Sequence, residues 1–145
     1  MTRDVLISIS GAQFSEFDQN DVEMITAGDY FMKNGKHYIL YDEMMEDSSE
    51  VVKNTIKVQP DSMDILKRGC ITTHMVFEKD KKNQSCYLTP MGELVVGIQT
   101  NDIRVEEEEN LIKINVEYSL DINYEHVSDC NITVAVRPRS QGLEL

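Results

Sequence analysis

Residues Leu111–Ile122 read Leu-Ile-Lys-Ile-Asn-Val-Glu-Tyr-Ser-Leu-Asp-Ile, and from Ile112 onward apolar or aromatic residues alternate strictly with polar ones. A period of two places the two sets on opposite faces of a half-buried β-strand. At about 3.4 Å per residue the strand spans roughly 40 Å, about twice the usual length. A flat sheet of such strands would expose long edges, which closure removes, so the stretch predicts a β-barrel. The side chains predicted to face its interior are Ile112, Ile114, Val116, Tyr118 and Leu120.

Chain length and charge limit what such a barrel can be. A chain of 145 residues has the size of one domain. We therefore expect a single β-barrel domain over residues 1–145, with a loose C-terminal tail over residues 138–145. The formal net charge is −12, from 26 acidic and 14 basic residues. Because such a charge repels phosphate backbones and anionic lipid, nucleic acid and membranes are disfavoured as partners.

The N-terminus and the cysteines indicate the compartment. Residues 1–10 alternate instead of forming the unbroken apolar run of a signal peptide, and no window has the length of a membrane span. Cys70, Cys86 and Cys130 are an odd set without a CxxC motif, which is typical of a reducing cytoplasm. We therefore expect a cytoplasmic protein in which Cys86 is a buried, inert thiol on the apolar face.

Turn-forming residues divide the chain into about ten strands. Asn34-Gly35 separates a predicted strand over residues 22–33 from one over residues 36–42, and Asn-Gly in this position predicts a two-residue type I′ hairpin. The register that follows sets three pairs of residues opposite each other: Phe31 and Tyr38, Tyr30 and Ile39, Gly28 and Tyr41.

A second hairpin is predicted at Thr89-Pro90-Met91-Gly92, which has the residues of a type I turn followed by a bulge at Gly92. That geometry would pair Cys86 with Val96 and Leu88 with Leu94. Asn101-Asp102 predicts a further tight turn, and residues 124–129 predict a loop before the last strand. One apolar face would then assemble from Thr73, Met75, Phe77, Cys86, Leu88, Leu94, Val96 and Ile98.

Short motifs also follow one another along nearly the whole chain in the order of a known family. They are Tyr38-Ile-Leu-Tyr41-Asp-Glu43, Thr55-Ile-Lys57, Lys67-Arg68-Gly69, Met75-Val-Phe77, Tyr87-Leu-Thr89-Pro90-Met-Gly92, Thr100 and Tyr118-Ser-Leu120. With these motifs the chain resembles the YwiB-like family of small bacterial proteins, although Asp42 replaces a second Glu. The resemblance implies an all-β fold, a single antiparallel calycin-like (lipocalin-like) β-barrel of about 8–10 strands. The family is a domain of unknown function, so the resemblance supplies no site residues.

Polar residues near strand ends form the candidate ligand-binding site. A barrel interior can hold one small ligand, and an Arg with Glu and Tyr partners can grip a carboxylate or phosphate. The alternative is a solvated face, or an interior polar network that satisfies itself. The candidate ligand-binding residues are Tyr41, Glu43, Lys57, Arg68, His74, Tyr87 and Thr89.

Metal binding and catalysis have less support. His37, His74 and His126 lack the spacing of metal ligands. The chain also contains no nucleophile elbow, no P-loop and no dinucleotide fingerprint. We therefore expect no metal, no cofactor and no catalytic residue.

Three functions are consistent with these features. The favoured one is a non-enzymatic barrel that binds a small, partly apolar ligand through an anionic or hydroxyl group. The second is an acidic module with a filled barrel that binds a protein partner. The third, an unrecognised enzyme, would use the polar candidate set. An interior cavity would separate the first from the second, and shifted titratable groups lining it would favour the third.

The compartment hypothesis makes a direct prediction about the thiols. Because three cysteines cannot all pair internally and the expected context is reducing, all three should be free. Thiol titration of denatured, non-reduced protein should therefore give three equivalents. A titre of one equivalent would reveal an internal disulfide and contradict the assignment.

Overall fold

Ten antiparallel β-strands make up nearly all of the chain that the computed structural model describes, which is residues 3–11, 22–44, 51–69, 72–89 and 92–139. The strands are β1 Asp4–Gly11, β2 Val22–Lys33, β3 Lys36–Met44, β4 Val51–Gln59, β5 Ser62–Arg68, β6 Thr73–Glu78, β7 Lys82–Thr89, β8 Gly92–Glu108, β9 Leu111–Ile122 and β10 Glu125–Pro138. Their order in the sheet is β6-β5-β4-β3-β2-β1-β10-β9-β8-β7, so β10 returns to pair with β1.

The outermost strands, β6 and β7, approach each other and nearly close the sheet into a barrel. β6 contacts both β7 and β8. The Ser85 hydroxyl of β7 donates a hydrogen bond of 3.3 Å to the His74 carbonyl of β6. The predicted all-β antiparallel barrel is therefore confirmed. We call the end that carries the Asn34-Gly35 turn the hairpin end, and the opposite end, which carries Glu43 and Lys67, the Glu43 end.

Strand β9 has the bounds that its alternation predicts, and its apolar face lines the interior. All five predicted interior residues are buried: Ile112, Ile114, Val116, Tyr118 and Leu120. The Tyr118 ring packs edge-on against Phe77, with 5.0 Å between ring centroids. Burial, and then the charge and hydrogen bonding of Cys130, raise the pKa of Tyr118, so its hydroxyl stays protonated. β9 thus supplies the centre of the core.

The Asn34-Gly35 hairpin also has the predicted register. Tyr30 pairs with Ile39 and Phe31 pairs with Tyr38. The backbone φ angles are 55° at Asn34 and 76° at Gly35, the left-handed values that a type I′ turn requires.

The register predicted for β7 and β8 is wrong by one residue. Cys86 pairs with Val95 instead of Val96, and Leu88 pairs with Glu93 instead of Leu94. Thr89 pairs directly with Gly92, so two residues join the strands without an added bulge residue. Because one residue of slip exchanges the two faces of a strand, Cys86 is exposed instead of buried.

The tight turn predicted at Asn101-Asp102 is also wrong. β8 continues through this site, and a bulge between Thr100 and Asp102 shifts its register against β9. The extra residue changes which positions point inward, so that Ile98 and Thr100 are buried before it and Ile103 after it.

The C-terminal part of the chain is more regular than predicted. A turn at Asn123 and Tyr124, with φ angles of 52° and 70°, replaces the predicted loop, and β10 begins at Glu125. Its last residue, Pro138, pairs with Val5, so the strand extends into the predicted tail. Residues 140–145 of that tail lie outside the described residues, as does Cys70. No described helix is long and apolar enough to cross a membrane.

The corrected position of Cys86 gives the thiol an acidic neighbour. A hydrogen bond with Glu93, local burial and the charge of this carboxylate raise the pKa of the Cys86 thiol. A raised pKa lowers the fraction of thiolate, the reactive form, at a given pH.

Glu93→Gln should therefore speed alkylation of Cys86 in the folded protein at mildly alkaline pH, because it removes the carboxylate that disfavours the thiolate. The rate is measured by mass spectrometry of the peptide that contains Cys86. Glu106→Gln is the matched control, since Glu106 is an exposed residue further along the same strand. Equal alkylation rates in wild type and Glu93→Gln would contradict the assigned contact.

Candidate functional site

The barrel wall parts between β2 and β3. β2 and β3 are paired from the Asn34-Gly35 turn as far as Asp29 and Leu40, and their described residues do not pair beyond that point. Beyond that point β2 stays with β1, where Gly28 lies opposite Val5. β3 stays with β4, where Tyr41 lies opposite Asn54. Because each strand keeps its other neighbour, the separation produces a gap in the wall.

A cleft of about 580 Å³ occupies this gap. Its apolar lining residues are Ala27, Gly28 and Leu40, and its uncharged polar ones are Tyr41, Asn54 and Thr55. Its charged residues are Asp4, Asp29, Asp42, Lys53, Arg68 and Arg139. Tyr41 and Asn54 are buried, inward-facing residues, whereas Asp42 and Lys53 are exposed. The cleft therefore reaches from the outer surface to the inner face.

Two lining residues of the cleft, Tyr41 and Asn54, belong to a group of inward-facing residues that we call the inner cluster: Tyr41, Glu43, Asn54 and Lys67. The Lys67 Nζ lies 3.4 Å from Glu43 Oε1. The Asn54 amide donates to the same oxygen at 3.4 Å and to the Val52 carbonyl at 3.3 Å. Burial and then the charge of Glu43 raise the pKa of Tyr41 to about 12, so its hydroxyl remains a neutral donor.

Asn54 has an unsatisfied acceptor. Its side chain is buried, with 1% exposure, and its Oδ1 has no hydrogen-bond partner among the described residues. A buried polar atom without a partner costs about 1–3 kcal/mol. Since Asn54 lines the cleft, a donor that enters the cleft can supply the missing hydrogen bond.

Basic residues lie on the outer side of the cleft. Lys53 and Arg68 occupy directly opposite positions on β4 and β5, where like charges repel. Asp42 lies opposite Lys53 on its other side. Even so, neither base, nor Arg139, forms an ion pair with a carboxylate of the described residues, and the same holds for Lys57 and Lys113 outside the cleft.

The structure separates the residues that the sequence groups into one site. Tyr41 and Glu43 meet in the inner cluster. Arg68 lies on the outer side of the cleft, and Lys57 is an outward-facing residue outside it, opposite Tyr38 and Asp64. Lys57 and Arg68 therefore do not join Tyr41 and Glu43 in the inner cluster.

The remaining predicted site residues lie elsewhere or outside the description. His74 is exposed on β6, with Nε2 3.2 Å from Asp64 Oδ2. The side chains of Tyr87 and Thr89 lie outside the described residues. Sequence reasoning missed Asn54 and Lys67, although each has the parity of buried neighbours, Ile56 and Ile65 respectively.

The hairpin end carries a second cleft, of about 490 Å³, lined by residues 30–32 and 107–109 and by Ile112. Behind it, the Tyr30 hydroxyl and His37 Nδ1 share a hydrogen bond of 2.7 Å. His37 Nε2 lies 3.9 Å from Glu107 Oε2. Burial and then the charge of Glu107 raise the pKa of Tyr30. Tyr30, His37 and Glu107 thus each face a polar partner, whereas Asn54 Oδ1 does not.

Comparisons with known proteins agree with the fold. The profile of the family described as "Domain of unknown function (DUF1934)" matches residues 7–134. The uncharacterized β-barrel protein YwiB of Bacillus subtilis (strain 168) is 25% identical over 118 residues, which cover 80% of this chain and 82% of that protein. The crystal structure of the ywiB protein from Bacillus subtilis superposes with a TM-score of 0.76 at 21% identity, covering 94% of this chain and 92% of the other.

Gly28 allows β1, β2 and β3 to approach closely beside the cleft, and replacing it should be costly. A Cβ at Gly28 would lie 2.4 Å from the Leu40 carbonyl oxygen and 2.5 Å from Ile7 Cδ1. Gly28→Ala should therefore lower the free energy of unfolding by about 1–3 kcal/mol, the usual cost of overpacking. The measurement is the urea unfolding midpoint.

Gly97→Ala is the matched control, because a Cβ there would meet Lys82 Cε at 3.3 Å and Asp121 Cβ at 3.4 Å. Its stability should stay within about 1 kcal/mol of wild type. Equal midpoints for both variants would contradict the close contact at Gly28.

Proposed function

Because the chain belongs to the DUF1934 family, whose membership indicates a fold but no substrate, we propose a function from the geometry of the cleft. The protein is a non-enzymatic one that binds one small, partly apolar molecule in the cleft between β2 and β3. The observation that carries this proposal is the parting of these strands after Asp29 and Leu40, which opens the wall down to Tyr41 and Asn54.

The lining of the cleft supports a small-molecule ligand. Small-molecule sites combine an apolar surface with a few convergent polar groups. Here Ala27 and Leu40 supply apolar surface, while Tyr41 and Asn54 supply a hydroxyl donor and an amide acceptor at the bottom. The volume of about 580 Å³ falls within the usual range of such sites.

The titration behaviour of the cleft supports binding over catalysis. A general acid or base works best when its pKa lies near the operating pH. Burial and then the charge of Glu43 raise the pKa of Tyr41 to about 12, which moves it away from neutrality. Its hydroxyl is suited to donate a hydrogen bond.

A protein partner is a second candidate, supported by the cleft at the hairpin end. Phe31 and Met32 are large apolar side chains with 39% and 52% exposure. They line that cleft together with the acidic residues 107–109. This combination suits a basic, partly apolar protein segment.

A cytoplasmic location is part of the same proposal. It is supported by the sequence, whose cysteines are odd in number. Within the described residues, Cys86 and Cys130 are free thiols.

Screening small metabolites and fatty acids by thermal shift should identify molecules that raise the melting temperature. A ligand at one hundred times its Kd stabilises the fold by about 2.7 kcal/mol. Ala27→Trp should abolish the shift, because the indole would occupy the cleft. Ile25→Trp should preserve it, since Ile25 is a 62% exposed residue of the same strand outside the cleft.

Native mass spectrometry of gently purified protein is the second measurement, and a bound small molecule is the expected result. The small-molecule function is excluded if no compound shifts melting and nothing co-purifies. A shift that is equal in wild type and Ala27→Trp would place the ligand elsewhere and contradict the assigned site.

A further inference from the structure

We propose, on the basis of the binding function above, that the cleft accepts a small anion that also carries a hydroxyl group. The hydroxyl lies between Tyr41 and Asn54, and the anionic group, a carboxylate or a phosphate, lies between Lys53 and Arg68. All four residues line the cleft.

The hydroxyl is inferred from two complementary groups at the bottom of the cleft. Asn54 Oδ1 is a buried acceptor without a partner among the described residues, and it requires a donor. Tyr41 lies directly opposite Asn54 in the strand pair, and its hydroxyl is protonated, so it can donate to an acceptor. A hydroxyl group donates and accepts at once and therefore satisfies both.

An ammonium group fits this position less well. It has three donors and no acceptor, so it cannot accept from Tyr41. The inner cluster also needs no further positive charge, because Lys67 already forms an ion pair of 3.4 Å with Glu43.

The anion is inferred from the outer side of the cleft. Lys53 and Arg68 face each other without an ion pair to a described carboxylate, and an anion between them would relieve their repulsion. Asp4 and Asp29 line the side formed by β1 and β2, which disfavours an anion there. Asp42 of β3 lies opposite Lys53 on its other side, so the anionic group is directed to the side of Lys53 that faces Arg68 of β5.

The sequence order of these residues sets the shape of the ligand. Lys53 and Asn54 are consecutive, so their side chains lie on opposite faces of β4. A ligand that contacts both must pass through the wall at the gap beside Gly28. A short, partly apolar chain between its hydroxyl and its anionic group would lie against Ala27 and Leu40.

Matched probes test each group by NMR titration of the folded protein. The probes are γ-hydroxybutyrate with butyrate, hydroxypropyl phosphate with propyl phosphate, and neutral propanediol. Each hydroxylated anion should bind at least about tenfold more tightly than its deoxy counterpart, because the hydroxyl adds hydrogen bonds with Asn54 and Tyr41. Propanediol should bind more weakly than either anion, and the two anion pairs distinguish a carboxylate from a phosphate ligand.

Variants then assign the contacts. Arg68→Gln should weaken both anions about tenfold, whereas Lys57→Gln, a matched loss of charge on the outer face outside the cleft, should leave them unchanged. Asn54→Ala should bring the ratio between hydroxylated and deoxy probes close to one. If that variant does not fold, the ratio measured on wild type still decides the hydroxyl contact.

The outcomes separate this inference from the proposed function. Binding in the cleft with no preference for a hydroxyl, or with full affinity in Arg68→Gln, would overturn the ligand class and leave the binding function standing. Failure of every compound, including the wider thermal-shift screen, would overturn both.

Discussion

The contact at Gly28 is the constraint on which the candidate site depends. A side chain there would lie 2.4 Å from the carbonyl oxygen of Leu40 and 2.5 Å from Ile7 Cδ1. β1, β2 and β3 therefore approach one another at a point that only a glycine can occupy. Just beyond it, β2 follows β1 and β3 follows β4, and the wall opens. A barrel that gains its core from tight strand packing thus has its gap beside a close contact between three strands.

The parts of the fold that depend on local signals could be predicted from the sequence. β9 follows from its period of two, and the β2–β3 register follows from Asn34-Gly35, because both signals lie within a few residues. The bulge in β8 could not be predicted in this way. Asn101-Asp102 suits a turn or a bulge, and the choice depends on pairing with β9, which extends from Ile122 to Leu111. Twelve residues of β9 require an equally long partner, and a turn would have divided it.

The same limit applies to the site. Tyr41 and Glu43 share the inward parity of β3, so both could be identified from the sequence. The chemistry of the guanidinium group favours Arg68 as a site residue, yet parity places its neighbour Lys67 inside with Ile65. Asn54 shows no motif at all. Its importance lies in an acceptor that remains unsatisfied once β3, β4 and β5 have packed, and that property depends on the folded arrangement.

The two ends of the barrel use polar groups in different ways. At the hairpin end, His37 lies between Tyr30 and Glu107 and faces both. A satisfied polar network of this kind stabilises one arrangement of the core. At the Glu43 end, Asn54 carries the cost of an unpaired acceptor, and Lys53 and Arg68 carry the cost of facing like charges. Apolar replacements would remove both costs if packing were the only requirement. Two separate costs that a single hydroxylated anion would relieve are more simply explained by a ligand at the Glu43 end than by stability.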